Sequence, residues 1–89
     1  MSRRYTVEFE RSAKKDLDRL DQPVRARILR KITALADDPR LAGVVRLFNR
    51  RGMWRIRVGD YRVIYEIEDD RLVVAVVRIA SRSIVYRDI

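Results

Sequence analysis

The chain has 89 residues and a mass of 10.6 kDa, which is enough for one domain and leaves no room for separate substrate and cofactor domains. Its formal net charge is +8, carried mainly by 18 arginines, and this excess favours a polyanionic partner, above all nucleic acid. The absence of Cys and His excludes disulfides, thiolate zinc sites and the usual general base at neutral pH.

A short strand and a two-helix hairpin are predicted for the first part of the chain. Apolar residues alternate over residues 4 to 9, which is typical of a strand. Ser12 is expected to cap a first helix, and Asp21 and Pro23 suit the start of a second helix that ends before Pro39. Both helices carry an apolar stripe at three- and four-residue spacing. The stripe residues are Ala13, Leu17 and Leu20 in the first helix and Val24, Ile28, Ile32 and Leu35 in the second.

From Val44 onward the apolar period changes from 3.6 to 2, which predicts strands. Apolar and arginine residues alternate over Trp54–Val58, and Gly59-Asp60 is predicted to be a two-residue hairpin loop. Residues 61 to 67 and 72 to 79 are apolar at nearly every position, as in central strands covered on both faces. We therefore expect one α+β domain spanning residues 1–89, with an N-terminal strand, a two-helix hairpin and a mainly antiparallel twisted sheet.

Arginines concentrate in the predicted hairpin. A two-residue loop at Gly59-Asp60 places Arg57 opposite Arg62, with Arg55 on the same face. The window from residue 46 to 62 contains six arginines and one acid, a net charge of +5. Arginine holds phosphate through two parallel hydrogen bonds and stays charged, so this cluster suits phosphate binding and the charge that develops during strand cleavage. The alternative is that these side chains splay into solvent and have no function.

The remaining charged groups suggest no further site. The second helix carries basic residues at Arg25, Arg27, Arg30 and Lys31, which we interpret as a solvated face without a role. The acid pairs Asp37-Asp38 and Asp69-Asp70 fall at element ends, where Asp forms turns, so neither a metal nor a cofactor is predicted. No window approaches 18 uncharged apolar residues, and a soluble cytoplasmic protein is expected.

The hairpin segment Trp54–Tyr65, with the sequence WRIRVGDYRVIY, resembles the signature of the RelE/ParE toxin superfamily. The ending Arg78–Tyr86 resembles the C-terminal motif of the same superfamily, and the resemblance begins at the early Ala13-x-x-Asp16-Leu17 helix. It implies a small α/β toxin encoded with an antitoxin. Such a toxin either cleaves mRNA in the ribosomal A site or, in the ParE branch, poisons DNA gyrase.

Carried over position by position, the resemblance assigns the basic pair to Arg55 and Arg57, the arginine after the tyrosine to Arg62, the late arginine to Arg82 and the late aromatic to Tyr86. Since ParE-like members generally lose several of these residues, their retention favours the nuclease branch. The sequence departs from the pattern by having Arg-x-Arg where Lys is often found, and by lacking the histidine of a common Gly-His-Arg. Arginine is a poor general base, so the proton-transfer groups are left open.

The leading hypothesis is therefore a metal-independent endoribonuclease that cleaves mRNA on the ribosome through attack of the RNA 2′-OH on the adjacent phosphate. Arg62 and Arg82 would hold the phosphate, Arg55 and Arg57 would stabilise its charge, and Tyr86 would stack on a base or exchange a proton.

Arg50 and Arg51 are further candidates for substrate binding. The expected partner is an antitoxin that wraps an amphipathic helix and an extended acidic segment around the sheet and the helical hairpin, and that blocks RNA by occupying the face of Arg55, Arg57 and Arg62. Two alternatives remain open at this stage: a ParE-like gyrase inhibitor without nuclease activity, and a toxin whose activity has decayed.

Overall fold

The computed structural model describes residues 4–47 and 52–81, and within these ranges the chain forms two helices packed on one face of a five-stranded sheet. In chain order the elements are β1 (Thr6–Phe9), α1 (Arg11–Asp18), α2 (Gln22–Asp37), β2 (Val45–Arg46), β3 (Met53–Val58), β4 (Tyr61–Glu68) and β5 (Val73–Ser81). The predicted order of a strand, two helices and a run of strands is confirmed.

The sheet has the strand order β1-β5-β4-β3-β2, so β5, β4 and β3 are interior strands, and β1 and β2 lie at the edges. Strands β2 to β5 form the predicted antiparallel meander. β1 joins the outer side of β5 as a parallel strand, with Thr6 opposite Val73 and Phe9 opposite Val76. The helices lie between β1 and the later strands in the sequence and so form the long crossover that parallel neighbours need.

The helices bury their apolar stripes against the sheet. Ile28 and Leu35 of α2 have no exposed surface, and they share one core with Val63 and other residues of the central strands. On the opposite face of the sheet, Ile64 and Ala80 are also buried, in a smaller apolar cluster. The near-continuous apolar sequence of β4 and β5 therefore serves both faces, as predicted.

The predicted cap at Ser12 is wrong. The residue at the N-cap of α1 is Glu10, whose side chain makes no capping hydrogen bond, and Ser12 lies inside the first turn. The Ser12 hydroxyl instead donates to the carbonyl of Val77 at 2.8 Å. The reason is that β1 ends at Phe9, so α1 lies beside the part of β5 that β1 does not reach, and its polar side chains satisfy that edge.

Asp16 covers the same edge of β5 one turn further along α1. Its Oδ2 atom accepts hydrogen bonds from the backbone N–H of Ile79 and from Nε of Arg78, both at 2.9 Å. The Asp16 side chain is only 13% exposed. These bonds hold α1 against the end of β5, immediately before the predicted site residue Arg82.

A polar network ties β1 to the turn between β4 and β5. The Tyr5 hydroxyl donates to Asp69 Oδ1 at 2.6 Å, and the Arg40 guanidinium donates to both oxygens of the same carboxylate, at 3.2 and 2.9 Å. Hydrogen bonds from Arg40 and Tyr5 lower the pKa of Asp69, and the bond to Asp69 raises the pKa of Tyr5. Arg40 also lies over the ring of Trp54, 5.3 Å from its centroid.

Tyr65 joins β4 to the segment that follows α2. Its side chain is fully buried, and its hydroxyl donates to the carbonyl of Pro39 at 2.7 Å. Burial raises the pKa of Tyr65, so the phenol stays protonated and keeps donating this bond.

Candidate functional site

The β3-β4 hairpin presents the arginines that the sequence singled out. Gly59 has a φ of +60°, and no positive φ occurs at Asp60, so the turn has the pattern of type II′, in which glycine takes the first central position. Val58 pairs with Tyr61 and Arg57 pairs with Arg62, which confirms the predicted register.

The alternation of β3 sorts its side chains onto two faces. Ile56 and Val58 are buried in the core beneath the helices. Arg55 and Arg57 therefore lie on the opposite face, where Arg55 is next to Ile64 on the adjacent strand. The hairpin thus brings Arg55, Arg57 and Arg62 to one face of the sheet, beside the smaller apolar cluster.

Arg62 is a buried charge. It is 6% exposed, and it is the one buried charged residue among those the structure describes. Within residues 4–47 and 52–81 its side chain makes a single hydrogen bond, a long one of 3.4 Å from Nη1 to the carbonyl of its neighbour Tyr61, and no carboxylate of these residues pairs with it. A buried guanidinium without a counter-ion is costly, and an anion would offset that cost. The position therefore suits a bound phosphate.

The Arg57 side chain differs in exposure and direction from that of its cross-strand partner Arg62. Its side chain is exposed, and its Nε atom donates to the carbonyl of Gly59 at 3.0 Å, which turns the guanidinium toward the end of the hairpin. Arg55 is half-buried on the same face. The three arginines thus differ in burial although the sequence alone treats them alike.

A basic cleft lies between α2 and the hairpin turn, and the sequence reasoning missed it. The cleft has a volume of about 430 Å³, and its charged lining consists of Arg27, Arg30 and Lys31 of α2 together with Arg57. Their spacing of three and four residues places the helix cations on one stripe, which is visible in the sequence. What the sequence could not show is that this stripe faces the hairpin.

Four predicted site residues lie outside the described residues: Arg50, Arg51, Arg82 and Tyr86. The described part of β5 ends at Ser81, which pairs with Tyr61, and Ala80 pairs with Arg62. Ser81 is the last described residue before the predicted site residue Arg82 in the sequence.

The acid pairs lie at the ends of elements, as predicted, with Asp37 as the last residue of α2. Asp38 follows α2, and its carboxylate accepts a hydrogen bond from the backbone N–H of Arg40 at 3.2 Å. Asp69 and Asp70 lie between β4 and β5. In the described ranges no three His, Cys, Asp or Glu side chains come close enough together to hold a metal ion. Over the same ranges, no helix is long and apolar enough to cross a membrane.

Comparison with known proteins gives one consistent result. The family described as "ParE toxin of type II toxin-antitoxin system, parDE" matches residues 7–86. Toxin RelE of Mycobacterium tuberculosis (strain ATCC 25618 / H37Rv) is 33% identical over 84 residues, which cover 93% of this chain and 87% of that protein. The mRNA interferase toxin RelE of Escherichia coli (strain K12) is 27% identical over 80 residues, which cover 89% of this chain and 84% of that protein.

The fold agrees with a solved structure of the same kind. The crystal structure of the toxin-antitoxin complex RelBE2 from Mycobacterium tuberculosis contains a chain that matches with a TM-score of 0.76 and 31% sequence identity. The match covers 89% of this chain and 99% of that chain. The helical hairpin and the five-stranded sheet are thus those of a known toxin structure.

Proposed function

This chain belongs to the RelE/ParE family of toxins of type II toxin-antitoxin systems, and from that premise we propose that it is an endoribonuclease that cleaves mRNA on the ribosome, in the cytoplasm. The observation that carries the proposal is Arg62, a guanidinium that is 6% exposed, has no carboxylate partner among the described residues and stands opposite Arg57. Such a group stabilises the fold poorly and binds a phosphate well.

The proposed reaction needs no metal, because the RNA supplies its own nucleophile. The 2′-OH loses its proton and attacks the adjacent phosphorus, the bond from phosphorus to O5′ breaks, and O5′ takes up a proton. The products are a 2′,3′-cyclic phosphate and a 5′-OH end. Arg62 would hold the non-bridging oxygens, whose negative charge grows in the transition state, and Arg57 would add a second positive charge.

The other roles follow the family resemblance. Arg55 would join Arg57 in stabilising charge, and Arg82 would hold the phosphate together with Arg62. Tyr86 would stack on a base or exchange a proton. A phenol with an ordinary pKa near 10 serves as a base at neutral pH only if nearby positive charge lowers that pKa, so this role for Tyr86 would require positive charge from the arginines of the site.

An antitoxin is the proposed protein partner. The solved RelBE2 structure is itself a toxin-antitoxin complex, and the structural match extends over 99% of the length of one of its chains. We propose that the antitoxin covers the face that carries Arg55, Arg57 and Arg62 and so excludes RNA. Binding of inorganic phosphate to the toxin-antitoxin complex tests this occlusion. If the antitoxin abolished cleavage while phosphate still bound to this face, occlusion would be contradicted.

Primer extension on mRNA from cells that express the chain tests the nuclease proposal. Breaks in phase with codons are expected, and Arg62→Ala should abolish them while the protein remains folded. Growth arrest with intact mRNA would contradict the proposal.

A second candidate function is inhibition of DNA gyrase, because the matching family is described as the ParE toxin. In that case the same basic surface would engage gyrase or DNA without cutting RNA. A gyrase supercoiling assay run beside a translation assay separates the two functions. Loss of supercoiling with unimpaired translation would select the gyrase inhibitor.

A further inference from the structure

The basic cleft between α2 and the hairpin lies apart from the buried Arg62 to which the proposed function assigns the scissile phosphate. Among the residues that the structure describes, its lining contains four cations, Arg27, Arg30, Lys31 and Arg57, and no acid. The remaining lining residues include Ala34 and Gly59, which are small. The cleft is therefore a shallow groove with a positive rim.

None of the four cations pairs with a carboxylate among the residues that the structure describes. By contrast, Lys14 on α1 pairs with Asp18, and Arg40 after α2 pairs with Asp69. Like charges three and four residues apart on a helix repel one another, so the arrangement opposes folding slightly. A polyanion bound in the groove would offset this repulsion between the cations with attraction.

The hairpin connects this cleft to the proposed catalytic face, which is the face of the sheet that carries Arg55 and Arg62. Arg57 stands opposite Arg62 in the sheet, yet its guanidinium is bonded to the Gly59 carbonyl and lines the cleft. At Gly59 the Arg27 guanidinium packs so closely that an added Cβ would lie 3.0 Å from its Nη2 atom. A strand of nucleic acid that leaves the catalytic face across Arg57 would therefore meet the cations of α2 next.

We propose that this cleft binds backbone phosphates of the RNA strand that flank the scissile phosphate. The inference rests on the proposed function, since it assigns the flanking part of the same substrate. The cleft would contribute to affinity and not to the chemical step, because its helix cations lie on the helix side of the sheet and Arg62 lies on the other.

The lining favours RNA over an acidic protein segment. Tight protein interfaces rely on large apolar or aromatic anchors buried in pockets. In the described part of the chain, the apolar lining of this cleft consists of Ala34 and the buried Val58 and includes no aromatic residue. A phosphodiester backbone is bound mainly by cations that neutralise its charge, and the groove supplies four of them.

The test is equilibrium binding of a fluorescent single-stranded RNA whose riboses all carry 2′-O-methyl groups, so that it cannot be cleaved. The test variant is Arg30→Gln/Lys31→Gln in the full chain. The control is Arg11→Gln/Lys15→Gln, which removes the same charge from exposed positions of α1 away from the cleft. Each phosphate contact to a single strand contributes about 0.7 to the slope of log K against log salt, or about five-fold in affinity at 0.1 M salt.

If each of the two cations makes one contact, the test variant should bind about 25-fold more weakly at 0.1 M salt, with a slope smaller by about 1.4. The control should stay within about three-fold of the parent, and cleavage at saturating substrate should be unchanged in both. Equal losses of RNA affinity in the test variant and the control would overturn the proposal. Unchanged RNA affinity of the test variant would also overturn it. A failure of the nuclease proposal is distinguishable, because it would remove cleavage by the parent chain while leaving the binding difference intact.

Discussion

Replacing Asp16 with alanine is expected to lower the free energy of unfolding by about 2 to 4 kcal/mol. Asp16 accepts the backbone N–H of Ile79, a residue that is 2% exposed, and a hydrogen bond to a charged acceptor contributes about 1.5 to 3 kcal/mol. The ion pair with Arg78 adds up to about 1 kcal/mol, since Arg78 is about one-third exposed. For a domain of this size the melting temperature should fall by at least about 8 °C.

Two further variants divide this cost between its sources. Asp16→Asn keeps an oxygen that can accept the Ile79 N–H but loses the charge, so it should cost about half as much. Asp18→Ala is the matched control, because Asp18 lies on the same helix and its exposed pair with Lys14 contributes only about 0.3 to 0.5 kcal/mol.

Urea unfolding followed by the fluorescence of Trp54, which packs against the core, measures all three variants. A double-mutant cycle with Arg78→Met should give a coupling of at least about 0.5 kcal/mol. If Asp16→Ala cost no more than Asp18→Ala, the argument that Asp16 secures the edge of β5 would be refuted.

Three other perturbations test separate parts of the structure. Tyr65→Phe leaves the Pro39 carbonyl without its donor and should cost about 1 to 3 kcal/mol of unfolding free energy, measured in urea. Gly59→Ala should cost about 1 kcal/mol or more, because alanine resists the φ of +60°; an unchanged melting temperature would count against the turn geometry. The lowered pKa of Asp69 gives stability that is present above its ordinary value near 3.8 and lost as pH falls through the lower, folded value. Asp69→Asn should therefore flatten the acid limb of stability against pH, and a limb of unchanged slope would exclude this contribution.

Local patterns were sufficient to predict the elements and the hairpin. The alternation of β3, the Gly59-Asp60 loop and the two-residue spacing determine the pairing of Arg57 with Arg62, because a slip by one residue would expose Ile56 and Val58. The continuous apolar run of β4 likewise indicated a strand inside the sheet.

The features that sequence reasoning missed depend on packing between distant segments. Ser12 has the chemistry of a helix cap, but the unpaired edge of β5 lies beside it and takes its hydroxyl. Arg30 and Lys31 have the pattern of a solvated helix face, but that face borders a cleft with Arg57. Both outcomes depend on where α1 and α2 sit on the sheet, which periodicity does not specify.

The central claim is that Arg62 binds and stabilises the phosphate at which RNA is cleaved. Single-turnover cleavage of mRNA on programmed ribosomes by Arg62→Ala tests it most directly, with Arg62→Lys as a variant that keeps the charge and Lys15→Gln as a control on α1. Arg62→Ala should lose about 3 to 4 kcal/mol of transition-state stabilisation, a fall of about 10² to 10³ in rate, and Arg62→Lys should recover part of it. The melting temperature of each variant should show that it is folded. Cleavage by folded Arg62→Ala at the rate of the parent chain would contradict the account.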